Sequence, residues 1–129
     1  MTDTAKSPFE RRVFGTGSIL FKEGADGNEA FLIENGKVEI AMRGRNERRV
    51  ALGVLGRGEL VGEMALISGG PRIASAVALT DVSVIVIPRS DFEGRIAAMD
   101  PVMSRVLQTL TRKLQVLSEQ HVDEVVKIR

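Results

Sequence analysis

Cysteine, tyrosine and tryptophan are absent from the 129 residues, and histidine occurs once, at His121. Without cysteine there is no disulfide, no thiolate nucleophile and no cysteine-based metal site, which excludes a disulfide-stapled secreted scaffold. One histidine near the end of the chain reads as a surface residue. It cannot supply the cluster of histidines and carboxylates that a metal-dependent β-barrel enzyme needs, and it leaves no base to activate a serine. No catalytic residue and no metal ligand is assigned, and the expectation is a protein that is not an enzyme. Excess charge of one sign is missing too: 18 basic against 17 acidic residues leave a formal charge of +1. That is no footprint for direct DNA binding. Apolar runs are far shorter than the roughly 20 residues of a membrane span, and Met1 to Pro8 lacks the apolar core of a signal peptide. These absences describe a cytoplasmic protein.

What is present is a rhythm. Thirteen glycines punctuate short apolar segments at intervals of roughly ten residues, as in an all-β sandwich or barrel. Residues 1–10 read as a tail and 11–129 as a single domain. Ile19 to Phe21 forms a strand closed by Glu23-Gly24, and Asp26-Gly27 makes a turn. Phe31 to Ile33 is the next strand, and Asn35-Gly36 is a pair that tolerates positive φ. Val38, Ile40 and Met42 then alternate with Lys37, Glu39 and Ala41, the period of a strand with one buried face. Val50, Leu52 and Val54 alternate likewise after a charged tip at Arg43 to Arg49. Two further strands follow at Ala74 to Leu79 and Val82 to Ile87.

The rest is helical. Ser90, with Glu93 three positions on, predicts a capping box at the head of a helix over about 89–99. Asp100-Pro101 predicts a capped helix over about 100–126. That helix carries Met103, Leu107, Leu110, Leu114 and Leu117 in one stripe, whose usual fate is packing on the body of the domain; a dimer seam is the other reading.

Between two strands lies an interruption. Glu63-Met64-Ala65-Leu66 is a run of helix formers, opened by Gly62 and closed by Gly69-Gly70-Pro71. A short helix there would direct backbone N–H groups and the positive end of a dipole to one spot, an anion site. Arg72 follows at the next strand, with a guanidinium shaped for phosphate oxygens. Glu63 offers an acceptor for a sugar hydroxyl. Together they describe a ligand with phosphate and ribose. Read blandly, Arg72 and Glu63 form an ion pair, but such a surface pair contributes only about 0–1 kcal/mol.

The stretch Gly62 to Ser75 closely resembles the phosphate-binding cassette of cyclic nucleotide-binding domains, found in cAMP-dependent kinase regulatory subunits, nucleotide-gated channels and catabolite-activator-type regulators. Gly17-x-Ile19, Glu23-Gly24, Phe31-Leu32-Ile33, Gly36-x-Val38 and Gly58 extend the likeness over residues 11–118. The resemblance implies an antiparallel eight-stranded jelly-roll β-barrel with a short cassette helix and two C-terminal helices. It implies that Arg72 pairs with the cyclic phosphate and Glu63 holds the ribose 2′-hydroxyl. Gly62, Met64 and Ala65 match positions whose backbone meets the sugar-phosphate, Ala74 and Ser75 the small positions after the arginine, and Ile40 the apolar residue under the base. Ile73 stands where cGMP-preferring members often carry threonine, which tilts the expectation to cAMP over cGMP. A lid over the base falls to Lys113, Leu114 or Leu117. The resemblance implies a regulatory module that takes a cyclic nucleotide, needs no cofactor, and signals through its C-terminal helices to a partner chain or a dimer mate. Nothing after the last helix reads as a helix-turn-helix. A same-fold scaffold domain without the ligand is the alternative, and the presence of both Arg72 and Glu63 weighs against it.

Overall fold

The computed structural model describes residues 9–128, with side chains described except at 45 and over 118–128; most of the expected N-terminal tail and the side chain of His121 lie outside the described residues. The chain order is β1 (Arg11–Phe14), β2 (Ile19–Phe21), β3 (Glu29–Asn35), β4 (Val38–Arg43), β5 (Arg49–Leu55), β6 (Leu60–Val61), α1 (Met64–Ile67), β7 (Ser75–Ala78), β8 (Val82–Pro88), α2 (Arg89–Ala97) and α3 (Pro101–Ile128). The strands form two four-stranded sheets, ordered β1-β8-β3-β6 and β2-β7-β4-β5. All neighbours are antiparallel. This is the doubled Greek-key order of a jelly roll.

The core lies between the sheets and follows the period of two. Phe31 and Ile33 of β3, Val38 of β4, Val61 of β6, Ala76 and Ala78 of β7, and Val82, Val84 and Val86 of β8 form one buried cluster. Phe14, Phe21, Ile40 and Leu55 pack at its margin. Gly36 turns β3 into β4 at φ 94°, and a Cβ there would sit 2.3 Å from the Asp81 carbonyl oxygen. That approach seats the β3–β4 turn on the β7–β8 turn, where Lys37 N–H donates to Thr80 Oγ1 at 3.0 Å.

Three expectations are corrected. Val50, Leu52 and Val54 do not line a buried face: they are 44%, 55% and 51% exposed. β5 is an edge strand, and its register with β4 slips between Ile40 and Ala41, so that Leu52 faces no partner residue. Met42 is only half-buried and stays outside the core cluster. The capping box at Ser90 is not formed. α2 begins at Arg89 as expected, but its capping position is Pro88, in extended conformation (φ −67°, ψ 146°) and with no side-chain cap, so Ser90 lies inside the helix. Arg89 N–H donates instead to the Asn28 carbonyl at 2.8 Å, and Glu93 pairs with Arg89 at 3.5 Å.

α3 begins as expected. Asp100 Oδ1 accepts from Val102 N–H at 2.9 Å and Met103 N–H at 3.2 Å, the N-cap geometry. Of the two readings of its stripe, packing on the body of the domain holds only for Leu107. α3 meets α1 and α2; Ser104 is buried, and Gln108, Thr111, Arg112 and Gln115 line a groove between the three helices. Leu107 is half-buried, while Met103, Leu110, Leu114 and Leu117 are exposed by 49%, 52%, 51% and 61%.

Candidate functional site

β6 ends at Val61, and Gly62 swings the chain into α1 at φ 75°. α1 is a single turn. Ala65 N–H donates to the Gly62 carbonyl at 3.1 Å and Leu66 N–H to that of Glu63 at 2.9 Å. Those two amides serve the turn itself, so the anion cradle expected from a helix start is smaller than the sequence suggests. Ser68 and Gly69 N–H close the turn on the Met64 carbonyl at 2.9 and 3.0 Å. Gly69 and Gly70, both at positive φ, then send the chain back toward β7.

The β2–β3 loop clamps this return. Gly27 N–H donates to Gly70 O at 3.1 Å, Arg72 N–H to Ala25 O at 2.8 Å, and Gly24 N–H to Arg72 O at 2.7 Å. Arg72 is thus held by its backbone on both sides, at the junction of cassette and loop. Its guanidinium lies 4.1 Å over the Phe21 ring, a cation–π contact, and Nη2 donates to the Glu29 carbonyl at 2.8 Å. Nε is buried and has no hydrogen-bond partner among the described residues. Two glycines make room for it: a Cβ on Gly27 would stand 2.3 Å from Nε, and one on Gly62 2.6 Å from Nη1. Burial lowers the pKa of Arg72 below the ordinary arginine value, and the charge of Glu29 opposes that fall.

Arg72 lines a cleft of about 180 Å³. One wall is the cassette, from Gly62 through Glu63, Met64 and Ala65 and from Gly69 to Ala74; the other is apolar, made of Phe21, Ile40, Leu52 and Leu55. Glu63 stands exposed at its edge, and no ion pair joins it to Arg72 among the described residues. Ile73 is 51% exposed.

Of the residues read from the sequence, Gly62, Glu63, Met64, Ala65, Arg72, Ile73, Ala74 and Ile40 meet in this cleft. Ser75 does not. Side chains alternate along β7, and Ser75 Oγ accepts from Glu23 N–H at 2.8 Å beside a separate surface groove with Lys22, Arg43 and Glu47. Lys113, Leu114 and Leu117 are not at the cleft either, because α3 packs on α1 and α2. All three are exposed. Sequence reasoning missed Phe21, Gly27, Glu29, Leu52 and Leu55. Glu29 acts on Arg72 through a backbone carbonyl, which residue type does not reveal. Phe21, closing an apolar run before Glu23-Gly24, carried a usable signal. Among the described residues no group of three or more His, Cys, Asp or Glu is placed to hold a metal ion, and no helix is long and apolar enough to cross a membrane.

Comparison with known proteins bears on this cleft. The cyclic AMP receptor protein of Thermus thermophilus is 37% identical over 115 residues, 88% of this chain and 52% of the relative. The cAMP-dependent protein kinase regulatory subunit of Pyricularia oryzae is 30% identical over 96 residues, 74% of this chain and 24% of the relative. The chain therefore spans about half the length of the first and a quarter of the second. Among solved structures, the EAL enzyme Bd1971 in its halfsite-occupied form superposes with a TM-score of 0.77 at 32% identity, covering 85% of this chain and 98% of that one. Bd1971 is also known in cAMP-bound and cGMP-bound forms, each matching with a TM-score of 0.67. Residues 11–98, from β1 to the end of α2, match the cyclic nucleotide-binding domain, and the chain belongs to that family.

Proposed function

We propose that this domain is a regulatory module, without catalysis of its own, that takes up cAMP in preference to cGMP in the cleft beside Arg72. The observation that carries the reading is the Arg72 guanidinium: fixed by Phe21 and Glu29, half-buried, and with Nε unpartnered. A buried cation with an unmet donor is costly in the empty protein and well placed for an anion. The cyclic phosphate supplies that anion, Glu63 accepts the ribose 2′-hydroxyl, and the backbone from Gly62 to Ala65 borders the sugar. The base then lies toward the apolar wall of Ile40, Leu52 and Leu55. Ile73 offers no hydroxyl to a guanine amino group, which favours adenine. The binding of cAMP and of cGMP by the related domain of Bd1971 supports the ligand class.

The output runs through the helices. α1 bears the cleft on one side, through Met64 and Ala65, and meets α2 and α3 on the other, through Leu66 and Ile67. A shift of α1 on ligand capture moves α3, whose exposed apolar stripe addresses a second copy or a partner chain. Calorimetric titration tests the ligand reading directly. Micromolar or tighter binding of cAMP, weaker binding of cGMP, and loss of both in Arg72→Ala are expected. Absence of binding by either nucleotide would overturn it, and tighter binding of cGMP would overturn the role given to Ile73.

A further inference from the structure

Arg72 has an acid for a neighbour and yet, among the described residues, no carboxylate partner. Its Nη2 bonds the backbone carbonyl of Glu29, while the carboxylate of the same residue is turned to Arg12 of β1, with Arg12 Nη1 3.1 Å from Glu29 Oε1. Arg12 is itself fully engaged. Its Nε and Nη2 bond the two oxygens of Glu10 at 3.0 and 3.2 Å. Arg12 also lies 5.9 Å from the centre of the Phe31 ring, which stacks at 6.1 Å on Phe21, the ring beneath Arg72. Two arginines thus sit at opposite ends of a pair of stacked rings, and Glu29 reaches both, one with its side chain and one with its main chain.

We infer that Arg12 is a positioning residue for the anion site: it holds the Glu29 carboxylate on the β1 side and so keeps that carboxylate from neutralising Arg72. The inference rests on the cyclic-nucleotide reading above. The reasoning is electrostatic. Arg72 keeps a buried Nε without a partner among the described residues, and the Glu29 carboxylate, once released from Arg12, would compete for the guanidinium in a charge-assisted bond. Such an internal pair competes with the phosphate for the same guanidinium. The charge of Glu29 already acts on Arg72, opposing the lowering of its pKa by burial. With Arg12 in place, the pull is spent mostly on the β1 side. Arg12 is 36% exposed in its side chain, so its removal leaves no hole in the core.

The test is a double-mutant cycle read by calorimetric titration with cAMP. Arg12→Gln is expected to weaken binding by about tenfold relative to the wild type. Arg12→Lys keeps the cation and is expected to restore most of that loss. Glu29→Gln in the Arg12→Gln background removes the competing carboxylate and is expected to bring affinity back to within about threefold of the wild type. A merely structural role for Arg12 predicts no such rescue. Equal affinity of Arg12→Gln and wild type, or a double variant as weak as Arg12→Gln, overturns the inference while leaving the cyclic-nucleotide reading intact. A wild type that binds neither cAMP nor cGMP overturns that reading first, and the inference with it.

Discussion

Arg72 carries a positive charge into a half-buried site where burial lowers its pKa and Nε finds no partner. The Phe21 face and the Glu29 carbonyl offset part of that cost, and the proposed ligand anion would offset more. Replacing such a group by an apolar one of similar length is often neutral or stabilising. Arg72→Met is therefore expected to melt, without ligand, at or above the wild-type temperature by scanning fluorimetry. Its affinity for cAMP is expected to fall by about 100-fold or more. A variant that is clearly destabilised without ligand would show that Arg72 serves the fold first. Gly27→Ala separates the arginine's position from its charge. Gly27 is not in the left-handed region, so alanine meets no backbone strain there, and the three atoms nearest its Cβ all belong to Arg72. Weaker cAMP binding at a melting temperature within a few degrees of wild type is the expected result. The convergence of Gly62, Glu63 and Arg72 on one cleft was legible in the sequence, because those residue types have few other reasons to share so short a stretch. Its supports were not. Glu29 works through a carbonyl that every residue owns, Gly27 through an absent Cβ, and Ser75 was misplaced because β7 turns it to the other face.

At the scale of elements, local chemistry decides some boundaries and tertiary packing decides others. β2 occupies the apolar run Ile19 to Phe21, and the turn at Gly36 and the start of α3 fall where Asn35-Gly36 and Asp100-Pro101 place them. In each case one or two residues hold the geometry alone. Asp100 Oδ1 takes two amides of the first turn of α3, so Asp100→Ala is expected to cost about 1 kcal/mol, measured by urea denaturation, while Asp100→Asn and Asp100→Ser cost less. Gly36 combines a positive φ with a carbonyl 2.3 Å from any Cβ. Gly36→Ala is expected to cost more than Asp100→Ala, about 2 kcal/mol or above. Equal costs would mean that the turn relaxes. Where the sequence reading failed, the deciding partner was remote. Val50, Leu52 and Val54 alternate as a half-buried strand should, but β5 is an edge strand and the register shift at Leu52 breaks that alternation against β4. Ser90 and Glu93 spell a capping box, but Asn28 accepts the Arg89 amide and Pro88 takes the capping position, with Ser90 inside α2.

For the molecule as a whole, the orientation of α3 is the feature with the widest consequence. Its small and polar residues meet α1 and α2: Ser104 is buried, and Gln108 donates to Ser104 Oγ at 2.9 Å along that face. Leu107 is half-buried, while Val106, Leu110, Leu114 and Leu117 are between 43% and 61% exposed. An apolar helical stripe turned from its own domain buries its surface when two copies lay their stripes together, at about 25 cal/mol per Å² removed from water. The polar face meanwhile keeps α3 in contact with α1, and through it with the cleft. If capture of a nucleotide shifts α1, as proposed above, occupancy and association are coupled, and linkage makes the effect of each on the other equal. Sedimentation equilibrium at micromolar concentration is expected to show a dimer whose dissociation constant falls when cAMP is added. Leu110→Glu places a carboxylate in the stripe without touching the cleft, and is expected to give a monomer that still binds cAMP, though less tightly than the dimer. A wild type that sediments as a monomer with and without cAMP would remove the second copy as partner and assign the stripe to another chain. Loss of all cAMP binding in a folded Leu110→Glu monomer would show instead that the cleft is incomplete in one copy.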